Sequence, residues 1–192
     1  VEDYLSPLLS TMGIETPIVF HTEFQDVDGV PPSIPHYPSN LFIGGTMNVD
    51  GMSTKPSVRV LDRAFLIEFS DIQVQSWLVQ HASEYASWHP LIVSMYDVLK
   101  NVHQHFGYRT LRGIFDYVQF CSNVDPVVLS QSWDHVICSK VLSKVNASRR
   151  TGDQHLIALK ELFQRHSLVI SEAKIDQMLQ QYRQTGFAEF LL

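Results

Sequence analysis

The 192-residue chain has only two cysteines, Cys121 and Cys138. That is too few for a disulfide framework, and we read them as buried thiols of a reducing compartment. No apolar run approaches the roughly 18 residues that a membrane-crossing helix needs, and the mean hydropathy is only −0.02. No membrane helix is therefore expected. Nothing resembles a basic segment followed by an apolar one, so no signal peptide is visible and a cytoplasmic location is expected. Positive charge is not in excess either. The formal net charge of −6 gives no general electrostatic pull toward nucleic acid or an anionic membrane. Internal repeats and low-complexity tracts are absent. The chain opens on Val1 and not on methionine, from which we expect a piece of a longer protein.

Signatures of chemistry are just as scarce. Gly44-Gly45 is not a dinucleotide fingerprint, because no GxGxxG motif is present and no helix opens there. There is no GxxxxGK[ST] phosphate loop, no GxSxG elbow, and no HExxH or CxxC spacing. Nine histidines invite a metal hypothesis. His103 and His105, two apart on a predicted helix, point to different faces. His135 and Cys138, three apart with Asp134 beside them, can face together, yet the remaining ligands would have to come from elsewhere. No metal site is expected.

What is present is material for a core: 45% hydrophobic and 11% aromatic residues against 18% charged, which excludes disorder. The charge is unevenly spread. Residues 1–70 carry three basic side chains (Lys55, Arg59 and Arg63) against nine acids, whereas residues 71–192 carry eleven of each. Seven of the nine prolines also lie in the first part, which places a domain boundary near residue 70. Within residues 1–70 the short apolar runs 17–20, 40–46 and 65–69 are strand candidates, the first two buried and the third half-buried. The proline-rich connection Val30 to Pro38 is too rigid for a helix. Val1 to Met12 and Pro56 to Arg63 read as helices. The fold class expected is an α/β fragment with two or three short strands, leading into a mostly α-helical bundle.

From Asp71 onward the apolar period becomes helical. Pro90 opens a segment with Leu91, Ile92, Met95, Val98, Leu99, Val102 and Phe106 on one face, and Gly107 is the expected left-handed cap. Leu111, Ile114, Phe115, Val118 and Cys121 repeat the pattern. Asp125-Pro126 reads as an N-cap and first helical residue for a helix running to Val145. Two more helices are expected, Gln154 to His166, and one capped by Ser171 that reaches Gln184 before Gly186. Five or six helices result. Trp77, Trp88 and Trp133 read as packing residues. Lys140, Lys144, Arg149 and Arg150 form a basic cluster that reads as a solvated helix end, with DNA binding as the alternative.

The most informative stretch is Asn40 to Phe69, NLFIGGTMNVDGMSTKPSVRVLDRAFLIEF. A polar residue at the carboxyl end of a buried strand in an α/β sheet points into the ligand crevice, which is where Thr46 and Asn48 fall. An asparagine there can orient a water by donating and accepting at once. An arginine at a helix end, as in Asp62-Arg63, can stabilise charge on a phosphoryl group of a neighbouring subunit.

This stretch resembles the second half of the AAA+ module in McrB-type nucleoside triphosphatases, the motor subunits of modification-dependent restriction systems. NLFIGGTMN is similar to their sensor-1 strand and DRAF to their arginine-finger segment, at the usual separation. The resemblance implies that Asn48 is the sensor-1 residue and Arg63 the arginine finger, with Arg59 a weaker candidate. It also implies that Thr46 and Asp50 lie by the nucleotide. FGYRTLRGIFDYV and DHVICSKVLSKV resemble segments of the helical lid, so Arg109 falls where a sensor-2-like arginine approaches the nucleotide. On this resemblance residues 1–70 are the C-terminal part of the AAA+ core and 71–192 the lid.

The same resemblance implies ATP or GTP with Mg2+ in the intact parent, a self-associated ring (taken as a hexamer), a nuclease subunit as partner, and indirect contact with DNA. Walker A and Walker B are absent from the chain, so hydrolysis is expected of the parent and not of this portion alone. The sequence departs from the family at Asp50, at Leu142-Ser143-Lys144 and at Asn146-Ala147. Asn48 can instead cap a turn, and Arg63 can pair with Asp62 or Glu68. A non-catalytic helical interaction module remains the alternative from another class.

Overall fold

A computed structural model describes residues 17–19, 28–29, 31, 33–36, 38, 40–46, 57–69, 72–124 and 126–191, without the side chains of Arg59 and 126–130. The chain divides into two compact units, Val1–Glu68 and Phe69–Leu192. The described structure is mostly helical, and no described helix is long and apolar enough to cross a membrane.

The first unit contains a minimal antiparallel pair, β1 (Ile18–Val19) with β2 (Ser33–Ile34), in which Ile18 faces Ile34. A short helix, α1 (Val58–Leu61), lies within the predicted span. The helix expected over 1–12 lies outside the described residues. Two expectations fail. Residues 41–46 and 65–69 form no strand and pair with nothing regular. Phe42 is 90% exposed and Phe65 fully so, with Leu66, Ile67 and Phe69 also exposed. Apolar runs become buried strands only when neighbouring strands satisfy their backbone groups and cover their side chains. Among the described residues of this unit, only β1 and β2 pair.

The second unit comprises α2 (Val74–His81), a 3-10 segment (Ser83–Trp88), α3 (His89–Lys100), α4 (Tyr108–Val124), α5 (Pro126–Lys140), a 3-10 turn (Leu142–Lys144), β3 (Asn146–Ser148), α6 (Gln154–Arg165), α7 (Val169–Thr185) and β4 (Phe187–Glu189). Packing neighbours run α2–α3–α6–α7–α5–α4, and β3 pairs antiparallel with β4, Ala147 opposite Ala188. The helical period explains this order. Leu91, Ile92, Met95 and Leu99 of α3 are fully buried, as are Leu111, Ile114 and Val118 of α4. Leu156, Leu159, Phe163 and Ile175 do the same for α6 and α7.

The aromatic residues concentrate around Trp133 on α5. Trp88 stacks on it at 4.3 Å, while Tyr85 and Phe115 meet it edge-on at 5.7 and 5.6 Å. Each such pair adds about 0.5–1.5 kcal/mol beyond its buried area. The expectation that Trp77, Trp88 and Trp133 pack is met: Trp133 is buried, and the other two lie half-buried against the core.

Helix ends depart from the sequence expectations. α3 closes at Lys100, well before Phe106, and His103, not Gly107, takes the left-handed conformation with φ 57°. Gln104 N donates to the Leu99 carbonyl at 2.9 Å and His103 N to that of Lys100 at 3.1 Å, the two bonds of a Schellman closure. His103 therefore lies in a turn rather than on a helix. α6 ends the same way, with Ser167 at φ 56° and Leu168 N donating to the Phe163 carbonyl at 2.9 Å. Gly186, at φ 73°, closes α7 as expected. α5 stops at Lys140 and continues only as the 3-10 turn; its predicted cap Asp125 lies outside the described residues.

Ser171 is not the N-cap of α7; Leu168 holds that position. The capping groups come from α5. Asp134, buried at 6% exposure, accepts from Ile170 N at 2.7 Å, Ser171 N at 2.8 Å and Ser171 Oγ at 2.6 Å. A carboxylate supplied across the bundle thus satisfies first-turn amides that the α7 sequence leaves open.

Substitutions at these helix ends have defined outcomes. Asp134→Asn places an NH2 against backbone donors. We expect a loss of about 2 kcal/mol, roughly 4–8 °C in Tm, in thermal or urea unfolding. An unchanged melting temperature would show that the carboxylate does not hold α7. Left-handed backbone costs a residue with a Cβ about 1–2 kcal/mol. His103→Gly should therefore raise stability by about 1 kcal/mol, and Gly186→Ala should lower it by at least as much. In the latter a Cβ would also meet Arg149 Nε at 2.7 Å.

Candidate functional site

The sequence-predicted residues fall on both units. Thr46 is exposed in the irregular run 41–46. Asn48 and Asp50 lie outside the described residues, as does the side chain of Arg59. Arg63 is exposed in the turn that closes α1, where its backbone N donates to the Val60 carbonyl at 3.1 Å. Arg109 belongs to the second unit, exposed as the second residue of α4.

The start of α4 collects charge of one sign. Its first turn contains no acid. Thr110, buried at 6%, comes directly after Arg109 and accepts a hydrogen bond from Lys144 Nζ at 2.9 Å. One turn on, Lys140 Cε lies 4.0 Å from the position a Cβ would occupy on Gly113. The four-residue spacing of Lys140 and Lys144 across the end of α5 thus lays both amines along the first two turns of α4. Arg149 behaves differently, its side chain lying against Gly186. The basic cluster expected at 140–150 therefore does not act as one group. Lys144 was visible in the sequence as a charge, but its place beside Thr110 depends on how α5 crosses α4.

A second polar centre gathers at Asn146. Its carbonyl accepts from Gln104 Nε2 at 3.0 Å and bonds His155 Nε2 at 2.9 Å, and its N donates to Gln104 Oε1 at 2.8 Å. This fastens the loop after α3 and the start of α6 to β3. His155 is 4% exposed, and its Nδ1 has no hydrogen-bond partner among the described residues. Burial pushes its imidazole below the ordinary histidine value, while the bond to the Asn146 backbone and the charge of Asp153 oppose the shift. Nothing in the sequence pattern distinguished His155 from the other eight histidines.

The thiols offer no nucleophile. Burial, then the charge of Asp134, pushes Cys138 above its usual value, with Lys174 opposing, which disfavours the reactive thiolate. Cys121 is buried. Asp134, the carboxylate considered beside His135 and Cys138, is committed to α7, and no group of metal-ligating side chains occurs among the described residues.

The depressed His155 value sets a sign. The unfolded chain takes up the proton first as pH falls, so stability is fully present above about pH 6.5. It declines as pH drops from there through the folded-state value. His155→Gln keeps a donor toward the Asn146 carbonyl but cannot titrate. Between pH 7.5 and 5.5 the wild type should lose more melting temperature than this variant, and parallel losses would remove His155 from the pH response.

The chain belongs to the family described as domain of unknown function (DUF8727), whose model matches residues 67–187. The matched region falls almost wholly on the helical unit. No curated protein and no solved structure matches the chain.

Proposed function

We propose that this chain is the C-terminal part of an AAA+ nucleoside triphosphatase of the McrB type, with residues 1–70 from the α/β core and 71–192 the helical lid. The observation that carries the reading is the pairing of NLFIGGTMN with DRAF, which sets Asn48 and Arg63 fifteen residues apart ahead of a mostly helical unit. The exposed apolar side chains at 41–43 and 65–69 give further support, since they are the ones a completed sheet would cover. So does the position of Arg109, exposed at the head of α4, where the next residue, Thr110, accepts from Lys144.

In this reading the intact parent would take ATP or GTP with Mg2+, which would supply charge neutralisation at the phosphates. Asn48 orients the attacking water, donating through its amide and accepting through its carbonyl oxygen. Thr46 and Asp50 line the same crevice. Arg63 acts in trans on the nucleotide of the next subunit in a ring, and Arg109 approaches from the lid. Hydrolysis is coupled to DNA translocation or to a nuclease partner, a step that rests on family analogy alone. The cytoplasm is the expected site of action.

An interaction module without catalysis is the second reading, favoured by the same exposed apolar runs at Phe42 and Phe65 to Phe69. One experiment separates the two. The intact parent is assayed for ATP and GTP hydrolysis over a range of protein concentrations, beside Arg63→Ala. The motor predicts a rate that rises with assembly and falls about 10³–10⁵-fold in the variant while nucleotide still binds. No hydrolysis in either protein favours the interaction module. An unchanged rate keeps the enzyme and removes Arg63 from its mechanism.

A further inference from the structure

β3 and β4 form a two-stranded ribbon, with no third strand beside it among the described residues. Each edge of such a ribbon presents N–H and C=O groups that can pair with another chain. Ala147 and Ala188 stand opposite at its centre, with Asn146, Ser148, Phe187 and Glu189 on either side of them. Backbone groups alternate in direction along an antiparallel pair, so those of the four flanking residues turn outward together. Each of these four amides donates to a side chain.

On the β3 edge, Asn146 N donates to Gln104 Oε1 at 2.8 Å, and the Asn146 carbonyl accepts from Gln104 Nε2 at 3.0 Å. One side-chain amide thus makes the two bonds that a neighbouring strand would make. Ser148 N donates to Thr151 Oγ1 at 3.0 Å, and its carbonyl accepts from Gly152 N at 2.8 Å. On the β4 edge, Glu189 N donates to Gln181 Oε1 at 3.2 Å and Phe187 N to Thr185 Oγ1 at 3.1 Å. The Thr185 hydroxyl also lies 2.7 Å from the Phe187 carbonyl and 2.9 Å from that of Gln181, with one proton to give. The Gln104 bonds are half-buried and the Thr185 bonds exposed. β4 is therefore the more weakly covered edge, and exposed bonds of this kind open first.

We propose that Gln104, Thr151, Gln181 and Thr185 stand in for flanking strands and keep the ribbon from pairing edge to edge with a second copy of this chain, β4 being the edge that opens first. A two-fold axis at Ala188 would lay two β4 edges antiparallel, with Phe187 of each copy opposite Glu189 of the other. The outward groups of those two residues are the ones that would bond across that contact, and they are the ones Thr185 and Gln181 occupy. The inference concerns the helical unit alone and does not depend on the motor reading.

The test compares the 192-residue chain with Thr185→Val and with Thr185→Val/Gln181→Met by sedimentation equilibrium over a range of concentrations. Thr185→Val keeps the shape of an exposed side chain and removes its bonds, so it should melt with the wild type. Self-association at least tenfold tighter than wild type is expected in the double variant, and a smaller gain in the single one. Adding Phe187→Lys, a charge on the edge strand, should reverse it. Amide exchange at Phe187 and Glu189 should slow as the variant associates. Association equal to wild type in both variants overturns the proposal. So does tighter association that Phe187→Lys leaves unchanged, or that gives those two amides no added protection, because the contact would then lie elsewhere.

Discussion

The carboxylate of Asp134 is the constraint on which the helical unit turns. It sits on α5 between the aromatic cluster around Trp133 and the first turn of α7, and it spends both oxygens on amide and hydroxyl donors of Ile170 and Ser171. Burying a carboxylate costs several kcal/mol unless such donors replace its water. The cost and the compensation thus demand the same arrangement, with α7 delivered by its N-terminus onto the middle of α5. Once α7 is set, α6 packs on it, β4 leaves its far end, and β3 pairs with β4. That pairing holds Asn146 where Gln104 and His155 converge on it.

The same geometry determines where charge is left over. Because α6 and α7 lie side by side, their opposite charges can meet across the contact, as Lys160 and Asp176 do. The end of α5 crosses the start of α4, where both elements contribute cations. A chain segment with balanced charge thereby acquires a locally basic edge, where Lys144 reaches Thr110 and Lys140 nears Gly113. The net charge of the segment says nothing of this, since it counts side chains without their neighbours.

Much of the helical unit was legible in advance. The buried faces of α3 and α4 obey the 3.6-residue period, Pro90 marks the start of α3, and Gly186 marks the end of α7 by its left-handed backbone. The two other closures were not legible, because His103 and Ser167 occupy left-handed positions that usually attract glycine. There the 6→1 and 5→2 bonds and the packing beyond the turn outweigh the steric cost of a Cβ. Ser171 misled for a related reason: a serine near a helix start reads as a local cap, but its hydroxyl is turned to Asp134. In the first unit, periodicity found apolar runs at 40–46 and 65–69, yet a run becomes a strand only with partners to bond and bury it.

The sequence alone determined the division near residue 70, the helical character of the residues beyond it, the apolar faces that build their core, and the resemblance that carries the motor reading. These depend on composition, local backbone preference and the order of residues along the chain. The tertiary structure decided what caps α7, which histidines are buried against backbone carbonyls, and which lysine bonds Thr110. Each of those is a meeting of side chains distant along the chain, and only the packing of whole helices brings them together.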